Sequence, residues 1–124
     1  MSTQAPTLNK AREYRIDMEA VVDAYNETER AMGWYYHLDE KLQFPFNAKC
    51  TVRVTSSPLK IGQTVKVIRM ASADDCEFDM LALIEYDDDE LAVPLAQLAS
   101  ASKHAATKEA IADWHYWLAR GYQF

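Results

Sequence analysis

Apolar positions change their period twice along the chain. From Ala11 to Tyr25, the apolar residues Ile16, Met18, Val21, Val22 and Tyr25 recur at mixed short steps, which predicts a helix with an extended segment as the alternative. The next stretch is clearer. Asn26 followed three residues later by Glu29 is a capping-box start, and Ala31, Tyr35, Leu38 and Leu42 then share one helical face. A helix over Glu27 to Leu42 follows, stopped by Phe44-Pro45-Phe46, because the residue before a proline is pushed out of the helical region.

Beyond Phe46 the pattern shortens to β-like runs at Asn47 to Val54, Thr64 to Met70, Met80 to Tyr86 and Leu91 to Leu95, separated by turn-forming and acidic stretches. In the second run, alternation sets Val65, Val67 and Arg69 against Lys66, Ile68 and Met70. The helical period returns from Ala105 to Arg120, where Ile111, Trp114 and Leu118 form a stripe and Gly121 falls at the C-cap. Together these elements predict an α+β fold: a small SH3-like antiparallel β-sheet or barrel of four or five strands, with N-terminal and C-terminal helices packed on it. One domain over residues 11–124 is expected, after a disordered N-terminus at residues 1–10.

With 124 residues, 49% of them apolar, the chain can bury one core but not two. No run approaches the ~20 apolar residues that span a bilayer. The N-terminus lacks the basic start and apolar segment of a secretory signal, so a cytoplasmic setting is expected. Cys50 and Cys76 stand alone, without C-x-x-C spacing or histidines to complete a zinc set, and are expected to be reduced and buried, with a disulfide or a soft-metal pair as the alternative.

The formal charge of -6 is ordinary, but its placement is not. Asp74, Asp75, Glu77, Asp79, Glu85, Asp87, Asp88, Asp89 and Glu90 fall in a segment with no Lys or Arg, leaving ten acids against thirteen bases elsewhere. Self-repulsion of such a segment is relieved by a cation or a basic partner, and nucleic acid is repelled. Hard cations need several oxygen ligands that loops can converge, and Asp74-Asp75-Cys76-Glu77-Phe78-Asp79 lies between two predicted strands. A merely solvated acidic loop is the competing reading. The same two readings apply to Asp87, Asp88, Asp89 and Glu90 at a predicted hairpin tip.

Asp39 and Glu40 sit in the last turn of the second helix, where the dipole disfavours acids by roughly 0.3 to 1 kcal/mol. A cation could draw on these carboxylates and on free helix-end carbonyls together; two solvent-facing acids at a poor position are the alternative. An EF-hand does not fit. Twelve-residue loops begun at Asp74, Asp75 or Asp87 put Asp79, Met80 or Ala92 where the sixth-position glycine belongs. No G-x-S-x-G, P-loop or H-E-x-x-H occurs, and His37, His104 and His115 pair with no nucleophile, so an enzyme is not expected.

Three aromatic-rich stretches carry a resemblance: Val21-Val22-Asp23-Ala24-Tyr25 leading to Glu29-Arg30-Ala31-Met32-Gly33-Trp34-Tyr35-Tyr36, Leu42-Gln43-Phe44-Pro45-Phe46 with Ala48-Lys49-Cys50, and Ile111-Ala112-Asp113-Trp114-His115-Tyr116-Trp117 with Gly121-Tyr122. In this order the chain resembles the CcbP family of small bacterial calcium-binding proteins, from about Ile16 to Phe124. The resemblance implies a cytoplasmic, non-EF-hand calcium buffer or sensor. It points to Asp39 and Glu40, then to Asp74, Asp75, Glu77 and Asp79, as Ca2+ ligands. His37 and the Asp39-Glu40 order depart from the family pattern and leave open which of the two acids is the main ligand. The rival reading is an acidic interaction module that docks a basic protein partner without metal.

Overall fold

A computed structural model describes residues 7–124. Of the stretch expected to be disordered, residues 1–6 lie outside the described residues. Asn9 caps the first helix, α1 (Lys10–Arg15), and its backbone N–H donates to the Tyr116 hydroxyl at 2.9 Å. The first predicted helix is only half regular. It widens into a π-turn at Ile16–Ala20 and then breaks at Asp23, whose φ of 54° is left-handed. That break explains the mixed apolar spacing.

Helix α2 (Glu27–Lys41) begins on the predicted capping box. The Asn26 side chain accepts the Glu29 N–H at 2.8 Å, and its amide donates to the Glu29 carboxylate at 2.8 Å. Helix α3 (Ala105–Ala119) ends at Gly121, which takes φ 86° while the Gly121 and Tyr122 N–H groups bond back to Leu118 and Trp117 carbonyls. Trp34 on α2 and Trp114 on α3, both fully buried, meet edge to face at 5.0 Å, which locks the two helices together.

Five antiparallel strands, β1 (Phe46–Cys50), β2 (Thr64–Met70), β3 (Leu81–Tyr86), β4 (Asp89–Pro94) and β5 (Leu98–Ser100), pair in the order β4-β3-β2-β1-β5. Only a 3₁₀ turn, Leu95–Gln97, joins β4 to β5 at opposite edges. Four chain steps from Pro94 to Leu98 reach at most about 14 Å, whereas the edges of a flat five-stranded sheet lie about 19 Å apart. The sheet therefore curls, as the barrel-like expectation requires.

Two expectations are corrected. The first strand stops at Cys50 rather than Val54, because β5 pairs with it only to that point. Strict alternation in β2 fails as well: the register shifts between Val67 and Arg69, so Met70 joins Val65 and Val67 in the core while Arg69 stays exposed. An extra residue in one strand reverses the faces beyond it.

Candidate functional site

Helix α2 packs against a 3₁₀ turn at Asp74–Cys76, which lies between β2 and β3. Tyr35 fastens them: its hydroxyl donates to the Ala71 carbonyl at 2.8 Å. Burial raises the Tyr35 pKa above its ordinary value, and the nearby Asp39 and Cys76 groups add to the effect. Asp39, one turn beyond Tyr35 on the same helix, is exposed. Burial pushes the Cys76 thiol up, the Leu81 N–H opposes this, and the charges of Asp75 and Asp79 reinforce it.

Glu40 lies a third of a helical turn away and faces other groups. It acts on His37 together with Glu19 and Lys41, which pair at 3.6 Å. Of the two helix-end acids, then, Asp39 is the one that acts on Tyr35.

Within the turn, Asp74, Asp75 and Glu77 are exposed and Cys76 is buried. Asp79 is half-buried, and burial raises its carboxyl pKa, partly offset by the hydrogen bond from the Met80 N–H. Glu77 and Asp79 look into a cleft of about 470 Å³ whose lining also includes Glu27 and the aromatic residues Trp114, Trp117 and Phe124.

These are hard oxygen donors of the kind calcium takes. Among the described residues, however, no three His, Cys, Asp or Glu side chains come together closely enough to hold an ion between them. Glu77 and Asp79 share a cleft with Glu27, and among the described residues the expected donors are not closed into a cage.

The second acidic run is accounted for locally. Asp87 and Asp88, at φ 49° and 63°, form a two-residue hairpin turn that matches the strand twist, a conformation Asp tolerates. Asp89 accepts the Glu90 N–H at 2.8 Å, Glu90 takes Arg69 through two bonds at 2.5 and 3.2 Å, and Glu85 lies 3.7 Å from Lys66. The bases missing from the segment arrive from β2, across the sheet.

Cys50 and Cys76 are both free and buried. Two acids escaped the sequence reading: Glu27, at the cleft, and Asp113, buried on α3 beneath Arg12 and Arg15. An acid within the otherwise uncharged stretch Ala110 to Ala119 of α3 was the available signal for Asp113.

These features define a small acid-faced α+β domain built without an EF-hand. Residues 14–118 match the CcbP family, described as calcium binding. The crystal structure of Anabaena CcbP superposes with a TM-score of 0.85 at 41% identity, covering 98% of this chain and all of that one. A calcium binding protein in its calcium-binding form gives a TM-score of 0.83 at 42% identity over 94% of this chain and 95% of that one. No curated protein matches. The chain belongs to the CcbP family of calcium-binding proteins, and calcium is the ion that membership assigns to it.

Proposed function

We propose that this chain binds calcium where the last turn of α2 meets the 74–79 turn, and that it serves as a cytoplasmic calcium buffer or sensor. Asp39 and Asp75 form the centre of the site, with Asp74, Glu77 and Asp79 as the remaining donors. The observation that supports this reading is the Tyr35 tie to Ala71, which holds the helix bearing Asp39 to the end of β2 just before the acidic turn.

Calcium accepts six to eight oxygens in flexible geometry, so main-chain carbonyls and waters can complete a shell that the carboxylates only begin. Asp74 and Asp75, both exposed, would have to turn toward the ion to hold it. Two buried, unjoined thiols suit a reducing compartment, which supports the cytoplasmic setting.

Titration calorimetry of calcium into the full chain, in millimolar magnesium, tests this reading. A saturable calcium heat is expected, since magnesium sheds its waters reluctantly and demands stricter geometry. Absence of that heat overturns the proposal.

A further inference from the structure

We propose that the end of the sheet where the 51–63 loop lies beside the β3–β4 hairpin turn docks a second copy of this chain, the basic loop of each copy meeting the acidic turn of the other.

Residues 41–73 carry six bases and no acid, the reverse of the acidic segment that follows them. Two of these bases, Arg53 and Lys60, are exposed on the 51–63 connection between β1 and β2, which holds neither helix nor strand. Connections of that length are uncommon in a small domain and usually carry a function. This one is anchored at several points. The Cys50 N–H donates to the Gln63 carbonyl and the Gly62 N–H to the Cys50 carbonyl, both at 2.8 Å, while the Gln97 side-chain amide donates to the Val52 carbonyl at 3.1 Å. Leu59 is fully buried beneath it, yet Val52 and Ile61 leave 47% and 66% of their surface in water.

The acidic turn stands at the same end of the sheet. β3 runs against β2 with Val67 opposite Ile84, so two residues further along Val65 comes level with Tyr86, and the 87–88 turn with the start of β2. Neighbouring strands lie about 5 Å apart, which sets the basic loop and the acidic turn side by side. Lys66 and Arg69 are taken up by Glu85 and Glu90, whereas among the described residues Arg53, Lys60, Asp87 and Asp88 form no ion pair. A surface that carries both signs next to each other becomes complementary to itself after a half-turn, and a twofold contact makes every pair twice. One exposed ion pair is worth little, but several formed together around aliphatic side chains that lose water add up. The formal charge of -6 opposes the approach of two copies, but at physiological salt that repulsion is screened beyond about 8 Å and the contact pairs decide.

Analytical ultracentrifugation of the full chain over a concentration series tests this, with chelator present so that no ion bridges the copies. The mass should rise toward that of a dimer, with a dissociation constant of about 100 micromolar. Raising the salt from about 0.1 to about 0.5 M should weaken the dimer roughly tenfold. Arg53→Glu with Lys60→Glu, and Asp87→Lys with Asp88→Lys, should each leave a monomer, and mixing the two variants should restore a dimer of one with the other. Lysine suits the left-handed backbone of the 87–88 turn less well than aspartate, so Asp87→Asn with Asp88→Asn, which keeps the turn, is measured as well and should weaken association severalfold. A parent chain that stays monomeric throughout, association unmoved by the loop pair and the asparagine pair, or folded charge-reversed variants that do not combine on mixing, overturns the proposal. A monomer that sediments with vesicles of anionic lipid overturns it too and assigns the loop to a membrane surface.

Discussion

Arg15 clasps Asp113 with two hydrogen bonds, Nε to Oδ2 at 2.8 Å and an Nη to Oδ1 at 2.7 Å, and Arg12 adds a third at 2.9 Å. Asp113 has no exposed surface, whereas the two arginines keep about a quarter of theirs. The three residues pin α1 to α3 by turning a buried charge into a satisfied one.

The asymmetry of exposure sets an order of effects. Asp113→Ala frees two arginines that can turn to water, so the loss should be about 2 to 3 kcal/mol. Replacing both Arg12 and Arg15 by Ala strands a carboxylate with no route to solvent and should cost more, toward about 5 kcal/mol. Thermal melts of the two variants in chelator check the ranking. An equal or reversed order would mean that the buried carboxylate finds other donors.

Gly33 is required by packing rather than by backbone conformation. A Cβ there would sit 2.2 Å from the Ala20 carbonyl oxygen, where the π-turn closes against α2. In an isolated helix Gly33→Ala would gain about 1 kcal/mol. Here it must push two backbones apart, at about 1 to 3 kcal/mol. A lower melting temperature for Gly33→Ala is the expected outcome, and denaturant unfolding measures it.

Burial holds the His37 imidazole below its ordinary value of 6.5, and Lys41 adds to this against the opposite pull of Glu19, Asp113 and Glu40. Above pH 6.5 the ring is neutral folded or unfolded, so it contributes nothing to the pH dependence. As the pH falls through that value the unfolded chain takes the proton more readily, and stability drains from the folded state. Denaturant unfolding in chelator at about pH 7.5 and about pH 5.5 should therefore show a smaller acid loss in His37→Gln than in the parent, the carboxylates being common to both.

Local chemistry made much of this fold readable. The Asn26-to-Glu29 box and the Gly121 cap announce themselves because each is satisfied within a few residues. What stayed hidden depends on partners far along the chain. The shift between Val67 and Arg69 arises only when β2 meets β3, and the 98–100 segment becomes a strand only because β1 offers it an edge. The acidic segment looked bare of bases since Arg69 and Lys66 reach Glu90 and Glu85 across the sheet. At the candidate site, the sequence could bring up Asp39 and Glu40 together but not choose between them. The proposed preference for Asp39 rests on its place beside Tyr35, which is tied to Ala71.

That choice can be tested directly. Asp39 acts on Tyr35, whereas Glu40 acts on His37, so Asp39→Asn should weaken calcium binding and Glu40→Gln should leave it nearly unchanged. Asp75→Asn, on the opposing turn, should weaken it as well. Each loss removes one anionic oxygen donor from a hard cation, and a tenfold change in affinity corresponds to about 1.4 kcal/mol. Without calcium, neither Asp variant should be less stable than the parent, because each relieves repulsion among like charges. Calorimetric titrations of the three variants, paired with thermal melts in chelator, measure both effects. A strong loss in Glu40→Gln with none in Asp39→Asn would move the site to the α1 side of the helix. Affinity unchanged in all three would take it away from this face altogether.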